Sequence, residues 1–244
     1  MANTLFLRLE SPLQSWGEDS QWSERRTAPE PTKSGVVGML ACAMGWDDDE
    51  RIRALSHHIR IGVRCDIPGT PAPLRDYHTV GGGYGDNNPQ LLTADGSPKN
   101  SSGKAHTEQT WRYYLCDASF LVAIQSEDGE LISKLAEKIQ NPHWPIFLGR
   151  KSCIPALPPF DGLGDYHSLA DALESHPARF LNDPILGRRL VKHPRIVLEC
   201  KSGEGIRRRD QFKSRKYWLF DPRYSKEELL RSELKLEYLD KEPA

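Results

Sequence analysis

Residues 4–9 alternate apolar and polar side chains, the period of a strand with one face in a core. After a polar loop holding Gln14, Trp16, Trp22 and Pro29, the period changes to that of a helix over residues 31–46. There Val37, Leu40 and Met44 share one face, and Gly35, Gly38 and Ala41 form a small-residue stripe where another backbone can come near. Ser34 reads as the N-cap and Gly45 as the left-handed stop. Residues 47–57 predict a second helix with acids in its first turn. Residues 58–66 and 119–125 predict strands, and Asp128-Gly129 turns into an amphipathic helix over 130–140 with Leu131, Ile132, Leu135 and Ile139 inward. Strand, helix, strand, strand, helix is the order of a split βαβ, ferredoxin-like unit, so the expected class is α+β.

Between the two middle strands lies an insertion. Residues 74–80 and 107–116 are rich in β-branched and aromatic side chains and can pair as a ribbon. Residues 81–104, with Gly-Gly-Gly-Tyr-Gly-Asp-Asn-Asn-Pro and Ser-Pro-Lys-Asn-Ser-Ser-Gly-Lys, lack the apolar area to order themselves and read as a mobile arm. A long ribbon projecting from a domain this size suits a partner- or ligand-binding device; a tolerated surface hairpin is the alternative.

Composition narrows the class further. The 244 residues can bury a substantial core. No secretory leader or membrane-length apolar run is visible, and the five cysteines lack Cys-x-x-Cys spacing. Reduced thiols in the cytoplasm are therefore expected, with no membrane partner, no metal and no cofactor. The formal net charge of −1 conceals an asymmetry: residues 188–216 carry eleven Lys/Arg against three acids, a net +8, with Phe212 interleaved and Tyr217 and Trp218 following. Such a segment suits a polyanion, or else forms a solvated basic face. Lys33 stands at the positive end of the first helix, where a phosphate would meet free amides and an ammonium together. The order Gly-x4-Gly-Lys-Ser/Thr is absent, so this is not a Walker loop. Arg150-Lys151 forms a short cationic turn for a phosphate, a partner subunit or a structural ion pair.

Six segments carry a specific resemblance: Pro-Thr-Lys-Ser-Gly-Val-Val-Gly (31–38), Val-Arg-Cys-Asp (63–66), Leu-Arg-Asp-Tyr-His-Thr-Val (74–80), Gln-Thr-Trp-Arg-Tyr-Tyr-Leu-Cys-Asp-Ala-Ser-Phe (109–120), Leu-Gly-Arg-Lys-Ser-Cys (148–153) and Gln-Phe-Lys-Ser-Arg (211–215). In order and spacing the chain resembles the CasD-type subunits of type I-E CRISPR Cascade, within the CRISPR-associated RAMP superfamily. The resemblance implies an RRM-like palm over residues 1–150 with a β-hairpin thumb at 74–116, and a small basic C-terminal region over 151–244. It implies a non-catalytic subunit of an antiviral ribonucleoprotein complex that holds the 5′ handle of the CRISPR RNA, caps one end of the assembly, and touches CasC-like backbone subunits and a CasA-like large subunit. Target DNA reached through the complex is a further partner compatible with the basic segment.

A splayed single strand can stack its bases on rings and rest its backbone on amides and cations. The expected RNA contacts are accordingly Lys33, Ser34 and Gly35 for a phosphate, and Arg75, His78, Lys104, Thr107, Gln109, Trp111 and Arg112 along the thumb. Arg150 and Lys151 join them, with Gln14 and Trp16 as secondary candidates. The rival reading is a metal-independent endoribonuclease that processes precursor CRISPR RNA, as type I-C relatives do with tyrosine, lysine and histidine. Tyr77, His78, Lys104 and His106 are the residues on offer.

Overall fold

The computed structural model describes residues 2–17, 21–70, 72–81, 91–101, 104–181 and 189–239. In chain order the elements are β1 (Thr4–Gln14), β2 (Glu24–Arg25), α1 (Lys33–Met44), α2 (Asp49–His58), β3 (Arg60–Ile67), β4 (Leu74–Gly81), β5 (Asn100–Ser101), β6 (Lys104–Ala105), β7 (Thr107–Gln125), α3 (Gly129–Gln140), β8 (Phe160–Gly164), α4 (Leu169–Ser175), β9 (Ala178–Leu181), β10 (Arg195–Cys200), β11 (Ile206–Ser214), β12 (Leu219–Leu229) and β13 (Leu236–Leu239). This is a mixed α/β chain organised on one large, mainly antiparallel sheet, ordered β11-β12-β10-β3-β7-β1-β8, with β2 and β4 flanking β7.

Both faces of the sheet are covered, which explains why β1 is buried along nearly its whole length. Leu5, Leu7 and Leu9 of β1 and Phe120, Val122 and Ile124 of β7 pack beneath α1, α2 and α3. Their neighbours Phe6, Leu121 and Ala123 point the other way, against Leu169, Ala172 and Leu173 of α4. That alternation follows from the two-residue period of a strand. Each such side chain contributes about 1.5–3 kcal/mol on leaving water. The sheet also crosses residue 150 without interruption, because β10 pairs with β3 from Ile196↔Arg64 to Leu198↔Gly62, and β12 then pairs with β10.

The ribbon expected from residues 74–80 and 107–116 is present. β4 runs antiparallel to β7 from Leu74↔Tyr114 to Gly81↔Thr107. β7 is one continuous strand whose first half makes the ribbon and whose second half is the centre of the sheet. The passage between the halves is at Asp117, with φ of 49°, opposite Pro12, which has no N–H to offer. Of the expected mobile arm, residues 82–90 and 102–103 lie outside the described residues. Residues 91–101 contain a turn in which Thr93 N–H donates to the Ser97 carbonyl at 2.8 Å.

The first helix starts two residues earlier than its pattern suggests. Thr32, not Ser34, is the N-cap, its hydroxyl accepting from Gly35 N–H at 3.3 Å, while Gly45 closes the helix at φ of 71° as expected. Asp48 and Asp128 cap α2 and α3 in the same way.

Candidate nucleic-acid interface

Four arginines meet where the ribbon joins the sheet. β2 lies beside β7 in parallel, setting Arg25 next to Arg112. The turn after α3 brings up Arg150. Gly149 makes this approach feasible: it has φ of 99°, and a Cβ there would stand 1.8 Å from the Ser15 carbonyl oxygen, which no side chain tolerates. The Arg150 guanidinium donates to the Tyr113 carbonyl at 3.2 Å and the Arg25 carbonyl at 2.7 Å, with its carbon 4.7 Å from the centre of the Tyr114 ring. Ser15, Gly17, Arg25, Arg26, Arg112, Gly149 and Arg150 line a trough of about 350 Å³. Arg26 is paired with Glu24 at 3.1 Å, but Arg25, Arg112 and Arg150 form no carboxylate pair among the described residues. Asp76 stands across the ladder from Arg112 on the same face without forming an ion pair among the described residues, so the cations outnumber the acid beside them. Like charges held together favour an anion, and guanidinium forks favour phosphate oxygens.

The trough opens through Ser15, Gly17 and Gly149 into a second groove of about 410 Å³ along α1. Ser34, Gly35, Gly38 and Ala41 form one of its sides, with Trp46, Trp144, Phe212 and Phe220 around them.

The register divides the thumb residues between two faces of the ribbon. His78 and Arg112 belong to the trough side, whereas Arg75, Tyr77, Thr107, Gln109 and Trp111 share the opposite side. On that side the Tyr77 and Trp111 rings are 5.8 Å apart and the Arg75 guanidinium sits 5.3 Å from the Trp111 ring centre. Gln109 and Arg75 are exposed, and so is Lys151 at the turn after Gly149. Lys104 is in β6, and its side chain lies outside the description.

Several expected contacts are instead interior. Lys33 is buried, its ammonium bound to Glu199 at 2.8 Å and its backbone N–H donating to Asp210 at 2.8 Å. Burial pushes the Lys33 pKa down, opposed by Glu199. The amino end of α1 therefore holds a carboxylate from β11, and Lys33 is not free for a phosphate. Gln14 is buried, its amide donating to the carbonyls of Leu9 at 3.0 Å and Ala118 at 2.8 Å. Trp16 is buried as well, its indole N–H donating to Gln14 at 3.1 Å and its ring lying where a Cβ on Gly35 would come within 2.7 Å.

The basic segment at 188–216 is only partly neutralised within the chain: Lys201, Arg207, Arg209 and Lys216 are exposed and form no ion pair among the described residues. Six of its cations, Arg189, Lys192, Arg195, Arg208, Lys213 and Arg215, pair with Asp117, Glu233, Glu30, Glu227, Asp221 and Asp49. Arg188 lies outside the described residues.

Of the nuclease candidates whose side chains are described, Tyr77, His78 and His106 do not converge. Tyr77 and His78 are consecutive on a strand and so face opposite sides of the ribbon. His106 is held by Glu108 at 3.2 Å. Glu108 also accepts from Lys99 at 2.9 Å and from the Trp22 indole at 2.8 Å, and these donors bring its pKa down from 4.5 to about 2. Glu108 thus ties the loop before β2 and the residues after 91 to the ribbon. A carboxylate with a depressed pKa contributes fully above pH 4.5 and loses its contribution as the pH falls toward 2. Glu108→Gln is expected to remove this acid dependence from Trp22 emission, measured as the pH falls from 5 to about 2. An unchanged titration would dismiss the clasp.

Sequence reasoning passed over Arg25 and Arg26. Their signal was present in Trp-Ser-Glu-Arg-Arg at 22–26, a basic pair after an aromatic residue in a polar loop. Among the described residues there is no cluster of three or more His, Cys, Asp or Glu suited to a metal, and no helix is long and apolar enough to cross a membrane.

An arginine-rich trough at the foot of a β-ribbon whose far face carries the Trp111 and Tyr77 rings is a chemistry suited to single-stranded nucleic acid. Comparison with known proteins places the chain: residues 4–214 match the family model described as CRISPR-associated protein (Cas_Cas5), and the chain belongs to that family. It is 37% identical over 177 residues to the CRISPR system Cascade subunit CasD of Escherichia coli (strain K12), covering 66% of this chain and 71% of that one. A chain solved in a CRISPR RNA-guided surveillance complex superposes with a TM-score of 0.71 at 28% identity, over 95% of this chain and 90% of that chain. A crystal structure of a Cas protein gives 0.65 at 33% identity, over 93% and 94%.

Proposed function

We propose that this protein is a non-catalytic RNA-binding subunit of a type I-E CRISPR Cascade, holding the 5′ handle of the CRISPR RNA and capping one end of the complex in antiviral defence. The observation that carries this reading is the trough of Arg25, Arg112 and Arg150, three cations without carboxylate partners among the described residues. The kinship to CasD and the likeness to a chain of an RNA-guided complex support it. In this reading the neighbours β8-β1-β7-β3, linked through α1 and α3, are a ferredoxin-like, RRM-like palm that takes in β8 and so runs past the expected end at residue 150, and the β4–β7 ribbon is its thumb. Handle phosphates lie in the trough with Lys151 at its mouth. The strand then bends round the ribbon, so that an unstacked base reaches Trp111, Gln109 and Arg75 on the far side. CasC-like and CasA-like subunits are the protein neighbours.

Purification from cells that contain the RNA, with sequencing of the retained nucleic acid, tests the reading. The expected result is short RNA beginning with repeat-derived handle sequence. Retention of unrelated RNA in proportion to abundance would end the proposal. Incubation of repeat RNA with the purified protein in EDTA addresses the alternative: site-specific cleavage that disappears in His106→Ala would make the protein a metal-independent endoribonuclease.

A further inference from the structure

The groove along α1 ends at the hairpin joining β11 to β12, and this tip carries the most exposed large apolar side chain among the described residues. Trp218 is 81% exposed, Tyr217 64% and Leu219 45%. The turn is closed by Trp218 N–H donating to the Arg215 carbonyl at 3.2 Å, with Trp218 at φ of 50°. Glycine or asparagine would enter that left-handed conformation at lower cost than a bulky side chain. A large ring is thus held out into water at a position where the local backbone prefers another residue, a placement typical of an interface anchor.

The charges around this surface decide what it fits. Arg215 is bound by Asp49 at 3.1 Å and Lys213 by Asp221 at 2.9 Å. Lys216 remains, its ammonium 5.3 Å from the centre of the Tyr217 ring. Beside the groove, next to Trp46 and at the start of α2, Asp47 and Glu50 are exposed and form no ion pair among the described residues. Arg53, one turn beyond Glu50 on α2, is likewise exposed and forms no ion pair among the described residues, so two acids stand with two cations here. Without the net positive charge of the trough, this surface lacks what a polyanion needs, while Asp47 and Glu50 still offer carboxylates to a cation. We infer that the groove and the Tyr217–Trp218 tip receive a segment of another protein subunit of the same assembly. That segment places a large apolar side chain between Trp46, Trp144 and Phe220 and a lysine or arginine toward Asp47 and Glu50. The inference rests on the reading that the chain works within a multisubunit ribonucleoprotein.

Two experiments on the complete complex, purified with its RNA, decide the matter. A benzophenone amino acid placed at position 218 is expected to cross-link to another protein subunit; cross-links confined to RNA, or none, overturn the inference. Trp218→Gly relieves the left-handed strain, so the Tm of the chain should hold or rise. At the same time one protein subunit should bind roughly thirtyfold more weakly, the size expected for loss of an aromatic anchor, with RNA retained. Unchanged subunit composition overturns the inference, as does loss of RNA with all subunits kept. A wild-type complex free of RNA would instead reject the RNA-binding reading, and the cross-link to protein would still report on the docking surface.

Discussion

Exchange of Asp66 for Ala is expected to lower the Tm by roughly 10 °C, the largest stability loss foreseen for any single polar side chain. Asp66 is fully buried and accepts from Arg8 at 2.6 Å and from Arg64 at 2.6 and 3.1 Å. Arg8 continues to Asp161 at 3.0 Å, and Arg64 donates to the carbonyls of His176, at 2.6 Å, and Leu173. Two guanidiniums and two carboxylates thus balance inside the layer that fastens α4 and β8 to the sheet. Removing Asp66 leaves buried positive charge uncompensated, which costs about 3–5 kcal/mol. For a chain of this size each kcal/mol moves Tm by about 2–4 °C. Calorimetry should show the fall with far-UV signal intact at low temperature; a drop below about 2 °C would mean that water reaches the site and screens it. The layer is also acid-sensitive. Burial raises the Asp161 pKa, but the His176 hydrogen bond and the Arg8 and Arg179 charges outweigh it and hold the carboxyl below 3.8, so its contribution is present above that pH and fades beneath it.

The same layer shows where the sequence stops being legible. Arg8 and Glu10 occupy alternate positions of a strand whose other face is Leu5, Leu7 and Leu9, and on pattern alone they face water. They are buried because residues 160–181 return to cover them, a consequence of tertiary pairing that no local window contains. Lys33 failed for the same reason: its partner Glu199 is 166 residues away in sequence, on β10. The ribbon, by contrast, was readable, because cross-strand pairing between residues 74–81 and 107–114 depends on side-chain types inside the two segments themselves. Charge counting over 188–216 found the cations but not the acids opposite them, since Glu30, Asp49 and Asp117 lie far back in the chain. Counting charge in one segment measures its composition, whereas a polyanion responds to what remains after pairing.

That distinction sets the second expected result, on RNA. The double variant Arg25→Ala, Arg112→Ala should bind repeat-derived RNA about tenfold more weakly at 0.15 M salt. The slope of log K against log salt should flatten by about 1.4, since each phosphate contact to a single strand contributes about 0.7. Neither guanidinium has a carboxylate partner among the described residues, so their removal strands no buried acid and Tm should change little. Lys33→Met is the contrasting control. It leaves Glu199 and its neighbourhood short of a cation and lowers Tm, while the salt slope of the folded protein stays at the wild-type value. Filter-binding titrations at four or more salt concentrations separate the two. A flattened slope for Lys33→Met with none for the arginine pair would move the phosphate site from the trough back to the amino end of α1. The opposite pattern ties RNA to the foot of the thumb, where β2 and the Gly149 turn bring together arginines from three distant parts of the chain.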